Sequence, residues 1–129
     1  MKYKKIINHK NSFIAVFTSV AGLRGRKKLI YYSSSKSGLI TFLSALRQKL
    51  FKQNILVTTI IPGYMSTKPF RELNQKSPSI LITNPRKAAA IVRNAINNKR
   101  EIIYINNFWR VIMLIIKFIP EKVFKRFSF

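Results

Sequence analysis

Apolar residues recur along this chain with two different periods. Phe13-Ile14-Ala15-Val16-Phe17 is a short unbroken apolar run that ends at Thr18-Ser19 and a glycine-containing stretch, Ala21 to Gly25, so it reads as a buried strand entering a loop. From Tyr32 the period changes. Leu39, Phe42, Leu43, Leu46 and Leu50 recur at helical spacing, the stripe of an amphipathic helix that runs to Lys52 and breaks at Asn54. Ile55 to Ile61 is apolar and rich in β-branched residues, and Pro62-Gly63 stops it. Strand, helix, strand is the repeating unit of a parallel sheet, so the expected fold class is α/β.

Residues 64–83 are polar and irregular, with Pro69 and Pro78, and read as a loop lying over the strand ends. Asn84-Pro85 then starts a second helix: Asn is a good N-cap, Pro suits the first helical position, and Ala88, Ile91, Val92, Ala95 and Ile96 supply the inner face. A short strand, Ile102 to Ile105, follows. The run from Phe108 to Ile119 is apolar but carries Arg110 and Lys117, and it is too short to span a bilayer as a simple helix. Beyond Pro120, Lys122, Lys125 and Arg126 mix with Val123, Phe124, Phe127 and Phe129. This basic and aromatic tail, 108–129, suits an anionic lipid surface, and equally a helix packed on its own sheet.

Composition narrows the function classes. A chain of 129 residues that is 47% hydrophobic has material for one modest core, so a single domain, 1–129, is expected. Lys and Arg number 25 against 3 acidic residues, a formal charge of +22 that attracts polyanions and anionic membranes. The cations are scattered, however, and no common nucleic-acid module is readable, so specific nucleic-acid binding is not expected. There is no Cys, which excludes disulfides and thiolate chemistry and agrees with a cytoplasmic location, peripheral on the inner face of the membrane if the tail docks there. Met1 to Lys5 resembles the basic start of a signal peptide, but the apolar run after it is short and no A-x-A site follows. His9 has no metal-ligand company, and no metal site is expected.

The candidate chemistry lies in Ser19, Tyr32 and Lys36. Tyr32 and Lys36 stand four residues apart, so a helix presents the phenol and the ammonium on one face, while Ser19 sits at a strand end thirteen residues before the Tyr. A free tyrosine is a poor acid–base group at neutral pH, and an ammonium one turn away favours its charged form. Tyr64 and Lys68 repeat the spacing, but Tyr64 follows Pro62-Gly63 in a loop and has Phe51, not a hydroxyl, thirteen residues before it. Context therefore selects the first copy.

Thr18-Ser19-Val20-Ala21-Gly22, Tyr32 to Lys36, and Pro62-Gly63-Tyr64-Met65-Ser66-Thr67 together resemble the short-chain dehydrogenases/reductases in order and spacing. The resemblance implies an NAD(P)-dependent oxidoreductase that reduces a carbonyl. Tyr32 would give the proton, Ser19 would orient the carbonyl oxygen, and Lys36 would bind the nicotinamide ribose and favour the tyrosinate. Tyr32, Lys36, Pro62, Gly63, Met65 and Thr67 match cofactor-binding positions. The match implies the C-terminal half of a Rossmann-like doubly wound sheet, roughly three parallel strands with flanking helices. The family's N-terminal cofactor half has no counterpart here, since Gly22, Gly25, Gly38 and Gly63 all lie outside any phosphate-binding turn.

On that reading the first strand is an open edge, the chain is inactive alone, and its partners are an N-terminal half or a second copy. A narrower likeness, in Tyr104 to Arg110 and Ile119 to Arg126, points to the subgroup of the decaprenylphospho-pentofuranosid-2-ulose 2-reductase component, and so to a lipid-linked keto substrate. Two other readings stay open. One is a basic membrane-surface or interaction protein without catalysis; the other is one half of a split reductase.

Overall fold

The computed structural model describes residues 12–67 and 77–127. Strand β1, Phe13–Phe17, leads through a 3-10 turn at Val20–Gly22 to helix α1, Ile30–Leu50, and then to strand β2, Leu56–Ile61. A 3-10 turn at Phe51–Gln53 closes α1, and Asn54 adopts the left-handed conformation, φ 53°, that an asparagine tolerates better than most residues. This is the break expected at Asn54. Helix α2, Pro85–Asn97, is capped by the Asn84 side chain, which accepts the Arg86 N–H at 2.8 Å. Strand β5, Ile102–Tyr104, follows, and then helices α3, Asn107–Phe118, and α4, Glu121–Phe124.

Strands β1, β2 and β5 form one parallel sheet in the order β1-β2-β5, with Phe13 beside Leu56 and Thr59 beside Ile102. The central strand is buried from Val57 to Ile61, as a parallel strand covered on both faces should be. One face carries α1, where Leu43 and Leu50 pack with Val57 and Ile55. The opposite face carries α2, where Ala88 and Ala95 pack with Ile60 and Ile103. The strands step across the sheet in one direction while the two connecting helices lie on opposite faces, so the two crossovers have opposite hands. One of them departs from the usual right-handed connection.

The polar threonines of β2 are satisfied rather than exposed. Thr58 donates to the Arg100 carbonyl at 2.8 Å, and Thr59 accepts from Arg47 of α1 at 2.8 Å. Arg47 also donates to the carbonyls of Val57 and Glu101, tying α1 to two strands at once.

The stretch read from sequence as an irregular loop, 64–83, is more ordered than that at its ends. Tyr64–Met65, β3, and Ile82–Thr83, β4, pair in parallel as a second small sheet, and the Ser66 N–H extends it by donating to the Thr83 carbonyl. Pairs of two residues separated by a polar segment carry no periodic signal, which is why the sequence does not announce them. The C-terminal segment also takes a definite place: Trp109 and Met113 of α3 are buried with Val20 and Ile61.

Candidate active site

The C-terminal ends of β1 and β2 converge, and ligands in open α/β sheets bind at such strand ends. Thr18, just past β1, donates both its N–H and its hydroxyl to the Ile60 carbonyl, at 2.8 and 2.9 Å. Two residues on, the Val20 N–H donates to the Pro62 carbonyl at 3.0 Å. These bonds hold Ser19 between them and set it against Pro62-Gly63.

Ser19 is 8% exposed and caps the 3-10 turn, its Oγ accepting the Ala21 N–H at 3.1 Å. A serine hydroxyl both accepts and donates, so occupying one lone pair this way orients the group and leaves its O–H to donate elsewhere. The turn lies tight on α1. A Cβ on Gly22 would stand 2.7 Å from the Lys36 carbonyl carbon and 2.9 Å from the Ser37 nitrogen, so only glycine permits this approach without moving the helix.

Lys36 joins the pieces. Its Nζ donates to the Phe17 carbonyl at the end of β1, 3.2 Å away, and lies 5.7 Å from the centroid of the Tyr32 ring one turn earlier. An ammonium has three donors, so one bond to Phe17 leaves capacity for a ligand hydroxyl. Tyr32 is 46% exposed, at the open side of α1. The structure thus gathers Ser19, Tyr32, Lys36, Pro62 and Gly63 around the ends of two adjacent strands.

The remaining sequence candidates are placed differently. Met65 sends its side chain against the core formed by Ile60, Ala88 and Ile103, so its backbone is what the strand-end region receives. Thr67 is exposed and its N–H closes a tight turn onto the Met65 carbonyl at 2.7 Å. Tyr64, the rival tyrosine, packs edge-on against Trp109 with ring centroids 4.9 Å apart; its partner in spacing, Lys68, lies outside the described residues, as does His9.

Two contributors lie within the segments that carry the resemblance, but the motifs give them no role. One is Gly22, through the contact just described. The other is Trp109, 4% exposed, whose indole covers Gly63 so closely that a Cβ there would overlap the ring, and whose Nε1 donates to the Leu81 carbonyl at 3.0 Å. Trp109 therefore braces the end of β2 from 46 residues away in sequence, a contact that neither its apolar helical setting nor its place in the Tyr104–Arg110 segment announces. Nearby Tyr104 ends β5 opposite Ile61, and burial pushes its phenol above the usual tyrosine range, against a smaller opposing pull from the Arg110 guanidinium.

These residues fit the nicotinamide end of a dinucleotide. The donor set is a half-exposed phenol, an ammonium with donors to spare and an oriented serine hydroxyl, arranged at strand ends beside a Pro-Gly turn. Comparison with known proteins agrees in kind. The family model described as short chain dehydrogenase matches residues 2–78. An acetoacetyl-CoA reductase of Acinetobacter sp. (strain RA3849) is 38% identical over 65 residues, covering 50% of this chain and 26% of that protein. An uncharacterized oxidoreductase of Mycobacterium tuberculosis (strain ATCC 25618 / H37Rv) is 28% identical over 113 residues, 88% of this chain and 44% of its own length. The chain thus spans less than half of these curated relatives. The solved bulky-bulky ketone specific alcohol dehydrogenase from Comamonas testosteroni superposes with a TM-score of 0.57 at 14% identity, covering 85% of this chain and 44% of that one, a likeness of fold. With the short chain dehydrogenase model matched over residues 2–78, more than half of the 129, this chain belongs to the short-chain dehydrogenase family.

Proposed function

We propose that this chain carries the proton-transfer part of an NAD(P)-dependent carbonyl reductase site. The observation that carries the reading is Lys36 Nζ, bonded to the end of β1 and set beside the Tyr32 ring, with the Ser19 turn held against both α1 and Pro62. Tyr32 Oη gives a proton to the substrate carbonyl oxygen as negative charge develops there. Ser19 Oγ donates a hydrogen bond to the same oxygen, its orientation set by the bond it accepts from Ala21. Lys36 would hold a ribose hydroxyl of the cofactor, and its ammonium stabilises the phenolate left behind, which lowers the cost of the transfer. When bound, the reduced nicotinamide supplies the hydride; Pro62 and Gly63 border its place.

The acetoacetyl-CoA reductase relative supports a 3-oxoacyl thioester as the kind of carbonyl to try first. The likeness of the C-terminal segment to lipid-linked ulose reductases supports a lipid-linked keto substrate as a second choice, and the exposed apolar outer face of α3, the helix whose inner face carries Trp109 onto Gly63, favours it. The pyrophosphate end of the cofactor needs a glycine-rich turn, and none of the four glycines lies in one. A segment that pairs along the edge of β1 that no strand among the described residues occupies, where Phe13 and Phe17 are each about half exposed, would bring it.

The test is a chimera in which the N-terminal half of the acetoacetyl-CoA reductase precedes this chain. It should oxidise NADPH in the presence of acetoacetyl-CoA, and Tyr32→Phe should lower kcat by about 10²–10⁴-fold while NADPH binding persists. An active chimera whose rate survives Tyr32→Phe refutes the assignment.

A further inference from the structure

Helix α3 is apolar on two opposite sides, and the fold uses only one. Trp109 and Met113, with Ile112 and Ile116 beside them, face the sheet. Phe108, Val111, Leu114, Ile115 and Phe118 face away and are 53%, 56%, 57%, 61% and 76% exposed. At about 100° per residue these five outer side chains span roughly 120° of the helix surface, a stripe centred nearly opposite Trp109 whose one polar member is Asn107 at the helix start. A soluble helix normally spends this arc on polar residues.

The charges around the stripe say what covers it. Arg110 and Lys117 fall together on one flank, about 300° and 280° round from Asn107, where they border the stripe without interrupting it. Lys122, Lys125 and Arg126 continue the basic border past Pro120, alongside Val123 and Phe127, which are 47% and 48% exposed. The only acid in this stretch, Glu121, is bound by Arg24 at 2.7 Å. The whole chain carries +22, so a second copy brought to this face would meet like charge, whereas an anionic surface meets opposite charge. No helix among the described residues is long and apolar enough to cross a membrane, so α3 can lie in an interface but cannot span one.

We propose that the outer face of α3, bordered by Arg110, Lys117 and the cations after Pro120, docks this protein on an anionic lipid bilayer. The five apolar side chains enter the headgroup boundary and the cations meet lipid phosphates and carboxylates. Because the inner face of the same helix carries Trp109 onto Gly63, docking leaves α3 between the bilayer and the strand-end region. The proposal rests on α3 and the cations around it, and stands or falls independently of the carbonyl-reductase reading.

The test is flotation of the full chain with vesicles of phosphatidylcholine containing 30% phosphatidylserine, and with phosphatidylcholine alone, in physiological salt. Two variants separate the apolar stripe from the charge. Phe108→Gln with Leu114→Gln and Phe118→Gln removes the stripe at exposed positions, with the emission of Trp109 as the check that α3 stays packed. Arg110→Gln with Lys117→Gln removes the flanking cations and leaves the apolar surface.

The wild type should float with the anionic vesicles and not with the neutral ones. The apolar variant should lose binding at least tenfold, and the charge variant about fivefold per cation removed. An apolar variant that binds like the wild type overturns the proposal, because general basicity then accounts for attachment. Equal flotation with both vesicle types, no flotation, or a wild-type dimer that the apolar variant dissociates would also overturn it.

Discussion

Replacing Gly63 with alanine is a direct probe of how the end of β2 is held, because the added methyl must enter space that the Trp109 indole occupies. Relief by moving the indole is costly. Trp109 is 4% exposed within the cluster of Val20, Ile61 and Met113, and its Nε1–H is committed to the Leu81 carbonyl. Overpacking of this kind typically costs about 1–3 kcal/mol, and a strained or broken hydrogen bond adds about 1 kcal/mol. Gly63→Ala should therefore lower stability by about 2–4 kcal/mol, which in urea moves the unfolding midpoint down by roughly 1–2 M. Trp109 is the single tryptophan of the chain, so its fluorescence reports both the transition and its own surroundings. The folded variant should emit at longer wavelength than the wild type. A midpoint within about 0.3 M of wild type with unchanged emission would refute the packing of Trp109 on Gly63.

Two further substitutions test the other joints. Gly22→Ala presses a methyl onto the backbone of Lys36 and Ser37, atoms that yield only if the helix shifts, so it should cost about 1–3 kcal/mol. By displacing the Ser19 turn it should also lower the rate of the active chimera at least tenfold, read as kcat at a temperature where the variant stays folded. Arg47→Ala removes the bonds to Val57, Thr59 and Glu101 made by a side chain only 15% exposed, and should destabilise by about 2–4 kcal/mol in urea unfolding. Glu101→Gln should cost less than about 1 kcal/mol, because its carboxylate is 3.7 Å from Arg47 and more than half exposed.

Much of the architecture was legible in local pattern. The unbroken apolar run of β1, the helical stripe from Leu39 to Leu50 and the β-branched run of β2 gave strand, helix, strand, and Asn84-Pro85 marked the start of α2 at its observed residue. These features are local, and their periods differ clearly. The spacing of Tyr32 and Lys36 likewise places both on one face of α1, where Lys36 reaches the Phe17 carbonyl and lies beside the Tyr32 ring.

What the sequence withheld depends on contacts between distant residues. Neither the pairing of Tyr64–Met65 with Ile82–Thr83 nor the seating of Trp109 on Gly63 leaves a periodic trace. Helix α3 is apolar on both sides, so its pattern alone could not choose between packing on the sheet and facing outward; it does both, with Trp109 inward and Ile115 outward. The closeness of Gly22 to α1 is set by the angle between a turn and a helix, which composition does not encode. Met65, read from its motif as a cofactor-binding position, is partly buried and packs against the cluster of Ile60, Ala88 and Ile103, a contact its spacing does not announce.

The central claim is that the first tyrosine–lysine pair, not the second, carries the proton transfer. The most direct measurement is the turnover of NADPH and acetoacetyl-CoA by the chimera bearing Tyr32→Phe beside that bearing Tyr64→Phe, each normalised to folded protein. Tyr32→Phe should lose about 10²–10⁴-fold in kcat while Tyr64→Phe stays within about tenfold of the parent. A parent-like rate for Tyr32→Phe together with collapse for Tyr64→Phe would contradict it.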